Sequence, residues 1–235
     1  MKGYIVKTIG MIGGMSWEST LEYYRIVNQA VKARLGGLHS ARCLLYSVDF
    51  EEIEALQHRN QWAEAARMLV GAAQSLEKGG AEFVIICTNT MHKVAEAVEQ
   101  GVSIPLLHIA DATAEKIKAA GIQKIALLGT RFTMEEDFYK GRLVKSFGLD
   151  VLVPSESEMD VVHNVIYQEL CLGRIESASR QKYLDIIDRL VAGGAEGVIL
   201  GCTEIGLLVR QADTRVPLFD TTEIHAKAAV EFALR

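Results

Sequence analysis

Two stretches of this chain repeat one another so closely that any fold must accommodate both. Gly79-Gly80-Ala81-Glu82 leads into Phe83-Val84-Ile85-Ile86, and Gly193-Gly194-Ala195-Glu196 leads into Gly197-Val198-Ile199-Leu200. Ile104-Pro105-Leu106-Leu107 resembles Val216-Pro217-Leu218-Phe219, and Ile9-Gly10-Met11-Ile12-Gly13 resembles Ile125-Ala126-Leu127-Leu128-Gly129. The offsets are 114, 112 and 116 residues, and the three segments follow in the same order in both halves. That period is far too long for a solenoid repeat. It implies two similar halves meeting near Gly121, residues 1–120 and 121–235, with the end from about 217 to 235 able to pack back on the first half.

Within each half, short apolar runs rich in β-branched residues alternate with longer segments of helical period. The runs are Lys7–Ile12, Cys43–Val48, Phe83–Cys87, Ile104–His108, Lys124–Leu128, Val151–Val153, Gly197–Leu200 and Val216–Phe219. Buried strands alternating with amphipathic helices predict an α/β fold with mostly parallel sheets. The expected architecture is two Rossmann-like α/β domains related by a pseudo-twofold. Ligands of open α/β sheets bind beyond the carboxyl ends of the strands, so the site is expected in the cleft between the halves.

Composition narrows the function. Hydrophobic residues make up 49% and charged residues 23%, the balance of a globular protein. The net charge of −5 is spread without a basic run, which argues against nucleic-acid and membrane partners. No apolar run reaches the roughly 18–20 residues of a membrane span. The stretch Met1–Gly14 has no export-signal pattern, so the expected location is the cytoplasm. Cys43, Cys87, Cys171 and Cys202 are scattered, with no C-x-x-C pair, and predict neither a zinc site nor a disulfide framework.

Aligning the two Gly-Gly-Ala-Glu segments without gaps sets Thr88 opposite Cys202 and Cys87 opposite Gly201. Side chains alternate along a strand, so Cys87 and Thr88 should face opposite ways. The pairing therefore selects Thr88, not Cys87, as the counterpart of Cys202. Each strand end runs into small polar residues and a helical segment, Thr88-Asn89-Thr90 and Cys202-Thr203-Glu204. Hydroxyls and free N–H groups at a helix start suit a carboxylate, and a helix N-terminus lowers a thiol pKa. Cys202 is thus expected to ionise readily. Gly13-Gly14-Met15-Ser16 and Gly129-Thr130-Arg131 are tight turns able to offer N–H groups, including those at Met15, Ser16 and Thr130. Neither is a nucleotide-binding loop. Cys43 and Cys171 are read as structural.

Taken together, Gly13-Gly14-Met15-Ser16, Thr88-Asn89-Thr90 and Gly201-Cys202-Thr203-Glu204 resemble the aspartate/glutamate racemase family, over essentially the whole chain from Thr8. The resemblance implies no pyridoxal phosphate, no metal and commonly a homodimer. It also implies one catalytic group from each half flanking the α-carbon of a small acidic amino acid. The family's first cysteine is Thr88 here, which resembles the branch with a Thr/Cys pair that prefers L-aspartate and L-glutamate. The family's cations for the distal carboxylate are missing from Asp49–Gln57 and Glu169–Gly173, and Gln57 stands as the neutral substitute.

The expected chemistry is two-base racemisation by Thr88 and Cys202, with no cofactor. Asn89, Thr90, Thr130 and Thr203 serve as donors to the α-carboxylate, and His92 and His225 support the pair. Other readings open at this point are a decarboxylase or cis–trans isomerase of a small dicarboxylate, or a non-catalytic protein that binds acidic amino acids.

Overall fold

The computed structural model describes residues 6–235, so the first five residues of the Met1–Gly14 stretch lie outside the described residues. The chain forms two compact units. One comprises the chain up to Ile109 together with His225–Arg235; the other is Ala110–Ile224.

The first unit contains β1 (Ile9–Gly13), α1 (Trp17–Leu35), β2 (Cys43–Ser47), α2 (Phe50–His58), α3 (Trp62–Lys78), β3 (Phe83–Ile86), a 3₁₀ turn (Thr90–Val94) and α4 (Ala95–Gly101). Helix α5 (Ile109–Ala119) follows. The second unit continues with β4 (Lys124–Gly129), α6 (Arg131–Glu135), α7 (Arg142–Phe147), β5 (Asp150–Leu152), α8 (Glu156–Gln168), α9 (Ser177–Ala192), β6 (Val198–Gly201), α10 (Ile205–Leu208) and β7 (Leu218–Asp220). Helix α11 (Thr221–Ala233) ends the chain. Both sheets are parallel, in the order β2-β1-β3 and β5-β4-β6-β7. Among the described residues, no helix is long and apolar enough to cross a membrane.

The sequence repeat is a repeat of hydrogen bonding. Val84 N–H donates to Pro105 C=O and Val198 N–H to Pro217 C=O, each at 2.9 Å. Glu82 N–H donates to Thr8 C=O and Glu196 N–H to Lys124 C=O, also at 2.9 Å. The predicted strand at Ile104–His108 is the exception, shortened to a single parallel bridge between Val84 and Leu106. The backbone leaves the sheet at once. Ile109 N–H donates to His92 Nε2 at 3.2 Å, and the His108 ring packs 4.5 Å from that of His92.

In the first unit, strand alternation sorts residues into two layers. Ile9, Met11, Phe83, Ile85 and Cys87 pack with Tyr23, Val27 and Val31 of α1 and with Ala226, Ala229, Val230 and Ala233 of α11. Ile12, Val84 and Ile86 pack on the other face with Leu69, Ala72, Ala73 and Leu76 of α3. The spacing of four at Tyr23, Val27 and Val31 keeps those side chains on one stripe of α1. The units divide at Ile109/Ala110 and Ile224/His225, not near Gly121, and side-chain contacts explain why. Asp111 on α5 is held bidentately by Arg142 of the second unit at 2.5 and 2.7 Å. The last two turns of α11, by contrast, fill the first unit's core.

Gly14 has φ +92°, and a Cβ there would lie 2.2 Å from Val48 O and 2.7 Å from Val48 N. Gly14→Ala is expected to cost at least about 2 kcal/mol through backbone strain and steric displacement. Gly71, inside α3, faces open space, so Gly71→Ala should stabilise by roughly 0.5–1 kcal/mol. Thermal melts of the two variants should therefore move in opposite directions.

Candidate active site

The site residues gather at the carboxyl ends of paired strands. In the first unit, β1 and β3 run in register from Ile9↔Phe83 to Ile12↔Ile86, and Cys87 N–H donates to Ile12 C=O at 2.9 Å. This brings the Gly13–Ser16 turn beside Thr88-Asn89-Thr90. Ser16 caps α1, its Oγ accepting from Ser19 N–H at 3.4 Å. The Thr20 hydroxyl donates to Ser16 C=O and accepts from Gly14 N–H, both at 2.8 Å, which ties the turn to the first turn of α1. Met15 is buried in the core. Gln57 on α2 is also buried, and its Nε2 donates to Met91 Sδ at 3.1 Å, directly behind Asn89-Thr90.

Strand alternation separates Cys87 from Thr88. Cys87 is wholly buried in the core, and burial pushes its thiol far above the ordinary range. Thr88 is half-buried, while Asn89 and Thr90 are buried. Behind Thr88 lie three buried histidines. His92 accepts at Nε2 from Ile109 N–H, so its Nδ1 carries the proton and donates to Thr88 C=O at 2.7 Å. His225 Nε2 donates to Leu107 C=O at 2.8 Å, leaving Nδ1 to accept from the Tyr23 hydroxyl at 2.9 Å. The His225 ring stands edge-on to His92 at 5.9 Å. His92 thus holds the backbone at Thr88, and His225 fastens α11 to the end of the bridging segment.

In the second unit, β4 and β6 pair in register up to Gly129↔Gly201. A Cβ on Gly201 would fall 2.8 Å from Leu128 O, so the pair closes only with glycine there. The residues that follow, Thr130 and Cys202, leave the sheet side by side. Thr130 caps α6, its Oγ1 accepting from Thr133 N–H at 3.4 Å and lying 3.2 Å from Thr133 Oγ1. Cys202 is half-buried and donates from Sγ to Glu204 Oε2 at 2.9 Å. The Thr203 hydroxyl donates to the same oxygen at 2.8 Å, and Glu204 is buried.

Two expectations change here. The helix after Cys202, α10, has only four residues, and the thiol is not lowered. Burial, then the Glu204 carboxylate and Cys171, push the Cys202 thiol well above its usual range, and only the Glu204 backbone N–H pulls the other way. The second change is Thr203, whose hydroxyl hydrogen is directed at Glu204. Sequence reasoning missed Glu204 as a functional residue. Its position two residues after the thiol was visible, but nothing local says that a glutamate there turns back instead of facing water.

A sequence profile of the family described as Asp/Glu/Hydantoin racemase matches residues 12–229. A crystal structure from Yersinia pestis, described as a candidate Asp/Glu racemase, superposes with a TM-score of 0.91 at 57% identity, covering 97% of this chain and 100% of that one. An aspartate racemase homologue from Pyrococcus horikoshii OT3 superposes with a TM-score of 0.84 at 36% identity, over 97% of this chain and 100% of that one. The broad specificity amino-acid racemase RacX of Bacillus subtilis is 22% identical over 94% of this chain and 96% of its own length.

Burial lowers the His225 pKa from 6.5 to about 4, so this ring is neutral in the fold near neutral pH. In the unfolded chain it binds a proton near pH 6.5. The stability that depends on its neutrality is therefore complete above about pH 6.5 and is lost as pH falls toward 4. The full effect is about 3 kcal/mol. His225→Gln should flatten that part of the pH profile, measured as the urea midpoint between pH 4 and 7 for wild type and variant.

Proposed function

The chain belongs to the Asp/Glu/hydantoin racemase family, and on that premise we propose that it interconverts L- and D-aspartate and L- and D-glutamate without a cofactor. As a member of this family it is an isomerase, an amino-acid racemase. Cys202 takes the α-proton from the L-enantiomer, and Thr88 delivers or relays a proton to the opposite face. One observation carries the reading. The two equivalent strand ends present a half-buried hydroxyl at Thr88 and a half-buried thiol at Cys202, while Cys87 is sealed in the core.

Removal of an α-proton leaves negative charge that spreads toward the α-carboxylate, where preorganised donors stabilise it. Asn89, Thr90 and Thr130, with the backbone at Met15, Ser16 and Thr203, supply donors of this kind. Gln57 supplies a neutral donor for the distal group. A hydroxyl is a far weaker acid than a thiol, so the two faces differ in reactivity and the L-direction is favoured kinetically. The equilibrium constant stays at unity because the enantiomers have equal free energies. The proposed location is the cytoplasm, where free thiols persist.

The protein acts as a homodimer in this reading. Trp17, Leu21 and Tyr24 occupy one stripe of α1 and are 65%, 56% and 51% exposed. Leu45 and Tyr46 are exposed on β2, the edge strand of the same sheet. An apolar stripe beside an open sheet edge suits an isologous contact with a second copy.

The test is α-proton exchange in D2O, followed by NMR for each enantiomer of aspartate, glutamate and a set of neutral amino acids. Cys202→Ala is expected to lower exchange at least about 10²-fold, whereas Cys87→Ala stays within a few-fold of wild type. Thr88→Ala should suppress racemisation yet retain exchange on the L-substrate. A dead Cys87→Ala variant with an active Cys202→Ala variant would reverse the assignment. Light scattering at micromolar concentration should give a dimer mass, and Leu21→Glu should shift it to monomer. A wild-type monomer would overturn the assembly.

A further inference from the structure

Resting on the racemase reading, we propose that the buried histidine cluster of the first unit is a latch centred on His92: this ring ties the backbone of Thr88 to the residue at which the chain leaves the unit, and so positions Thr88 for proton delivery. The chain passes between the two units twice, at Ile109/Ala110 and at Ile224/His225. The cluster holds the first unit's residue at each passage. Ile109 N–H donates to His92 Nε2 at 3.2 Å, and His225 Nε2 donates to Leu107 C=O at 2.8 Å. The same His92 ring donates from Nδ1 to Thr88 C=O at 2.7 Å.

The chemistry of the ring fits this task. A neutral imidazole carries one donor and one acceptor on a rigid frame. Here the donor serves a carbonyl four residues back and the acceptor serves an N–H 17 residues on. Both nitrogens are engaged by backbone groups, so His92 passes no proton to the Thr88 hydroxyl; it acts on where Thr88 stands. Packing fixes the plane of the ring. The ring of His108 lies 4.5 Å away and that of His225 5.9 Å, and the Tyr23 hydroxyl holds His225 at 2.9 Å. Misplacing a reacting group by about 1 Å can cost on the order of 10²-fold in rate. Only the Thr88 face should feel the loss of the latch, because proton removal from the L-enantiomer is the work of Cys202 in the second unit. His92 is a positioning residue in this scheme.

The experiment follows two reactions of aspartate and glutamate in D2O. One is α-proton exchange of the L-enantiomer, read by NMR, which needs Cys202; the other is racemisation, read by chiral analysis, which needs both faces. His92→Phe keeps a buried ring and removes both hydrogen bonds. His92→Asn restores a donor at the Nδ1 position and adds no group that titrates near neutral pH. The expected result is racemisation slowed roughly 10- to 10²-fold by His92→Phe, L-exchange within about three-fold of wild type, and partial recovery of racemisation in His92→Asn. The Ile109 amide should exchange with solvent at least about 10-fold faster in both variants, since neither offers an acceptor at the Nε2 position. A residue that only stabilises the fold would lower both reactions by one factor, and a proton relay would leave His92→Asn as slow as His92→Phe. Either outcome overturns the proposal, as does racemisation at the wild-type rate in His92→Phe. If His92→Phe does not fold, His92→Leu takes its place. Wild type that exchanges none of the amino acids tested overturns the racemase reading instead. The Ile109 amide then still decides whether His92 holds the chain where it leaves the first unit.

Discussion

Everything at the candidate site depends on parallel pairing in register between two neighbouring strands of each sheet. β1 with β3 and β4 with β6 each deliver two strand ends to one place, and the residue after each strand inherits that neighbourhood. A slip of one residue would turn Thr88 into the core and Cys87 out of it. The register is held by close backbone contact. Gly201 lies so near Leu128 O that no side chain fits between, and the Gly13–Gly14 turn is closed by Thr20 on one side and Val48 on the other. The apolar layers stabilise the sheets, but these contacts fix where the polar ends emerge.

The strands were readable in the sequence because parallel strands buried on both faces read as short continuous apolar runs. The repeat of Gly-Gly-Ala-Glu carried further, since it pointed to two similar halves, and the equivalent segments do make equivalent hydrogen bonds at Val84 and Val198. Ile104–His108 read as a strand because its composition matches Val216–Phe219. In the structure it pairs only through the Val84–Leu106 bridge, and Ile109 N–H beyond it donates to His92, a contact that no local pattern shows. The division of the chain was similarly hidden, since it turns on the Asp111–Arg142 pair and on small residues of α11 that look like any amphipathic face.

The electrostatics of Cys202 were the least legible. The local sequence suggested a helix start, which favours a thiolate. The helix proved to be a single turn, and the thiol responds instead to burial and to a carboxylate two residues away. Both depend on how Glu204 turns, which is settled by packing. A motif can locate a thiol, but its protonation state belongs to the folded surroundings.

Helix α11 has a consequence for how the protein comes into being. Its first four residues belong to the second unit, and from His225 onward it completes the layer formed by Ile9, Met11, Phe83 and Tyr23. A ribosome makes those strands early and must finish the entire second unit before Ala226, Ala229, Val230 and Ala233 emerge. The first unit is begun first and sealed last. Until then one face of its sheet stays open to water or to a chaperone, while the second unit can fold as soon as Ile224 is clear. A nonsense mutation near the end of the gene would therefore strike the half of the protein that was translated first.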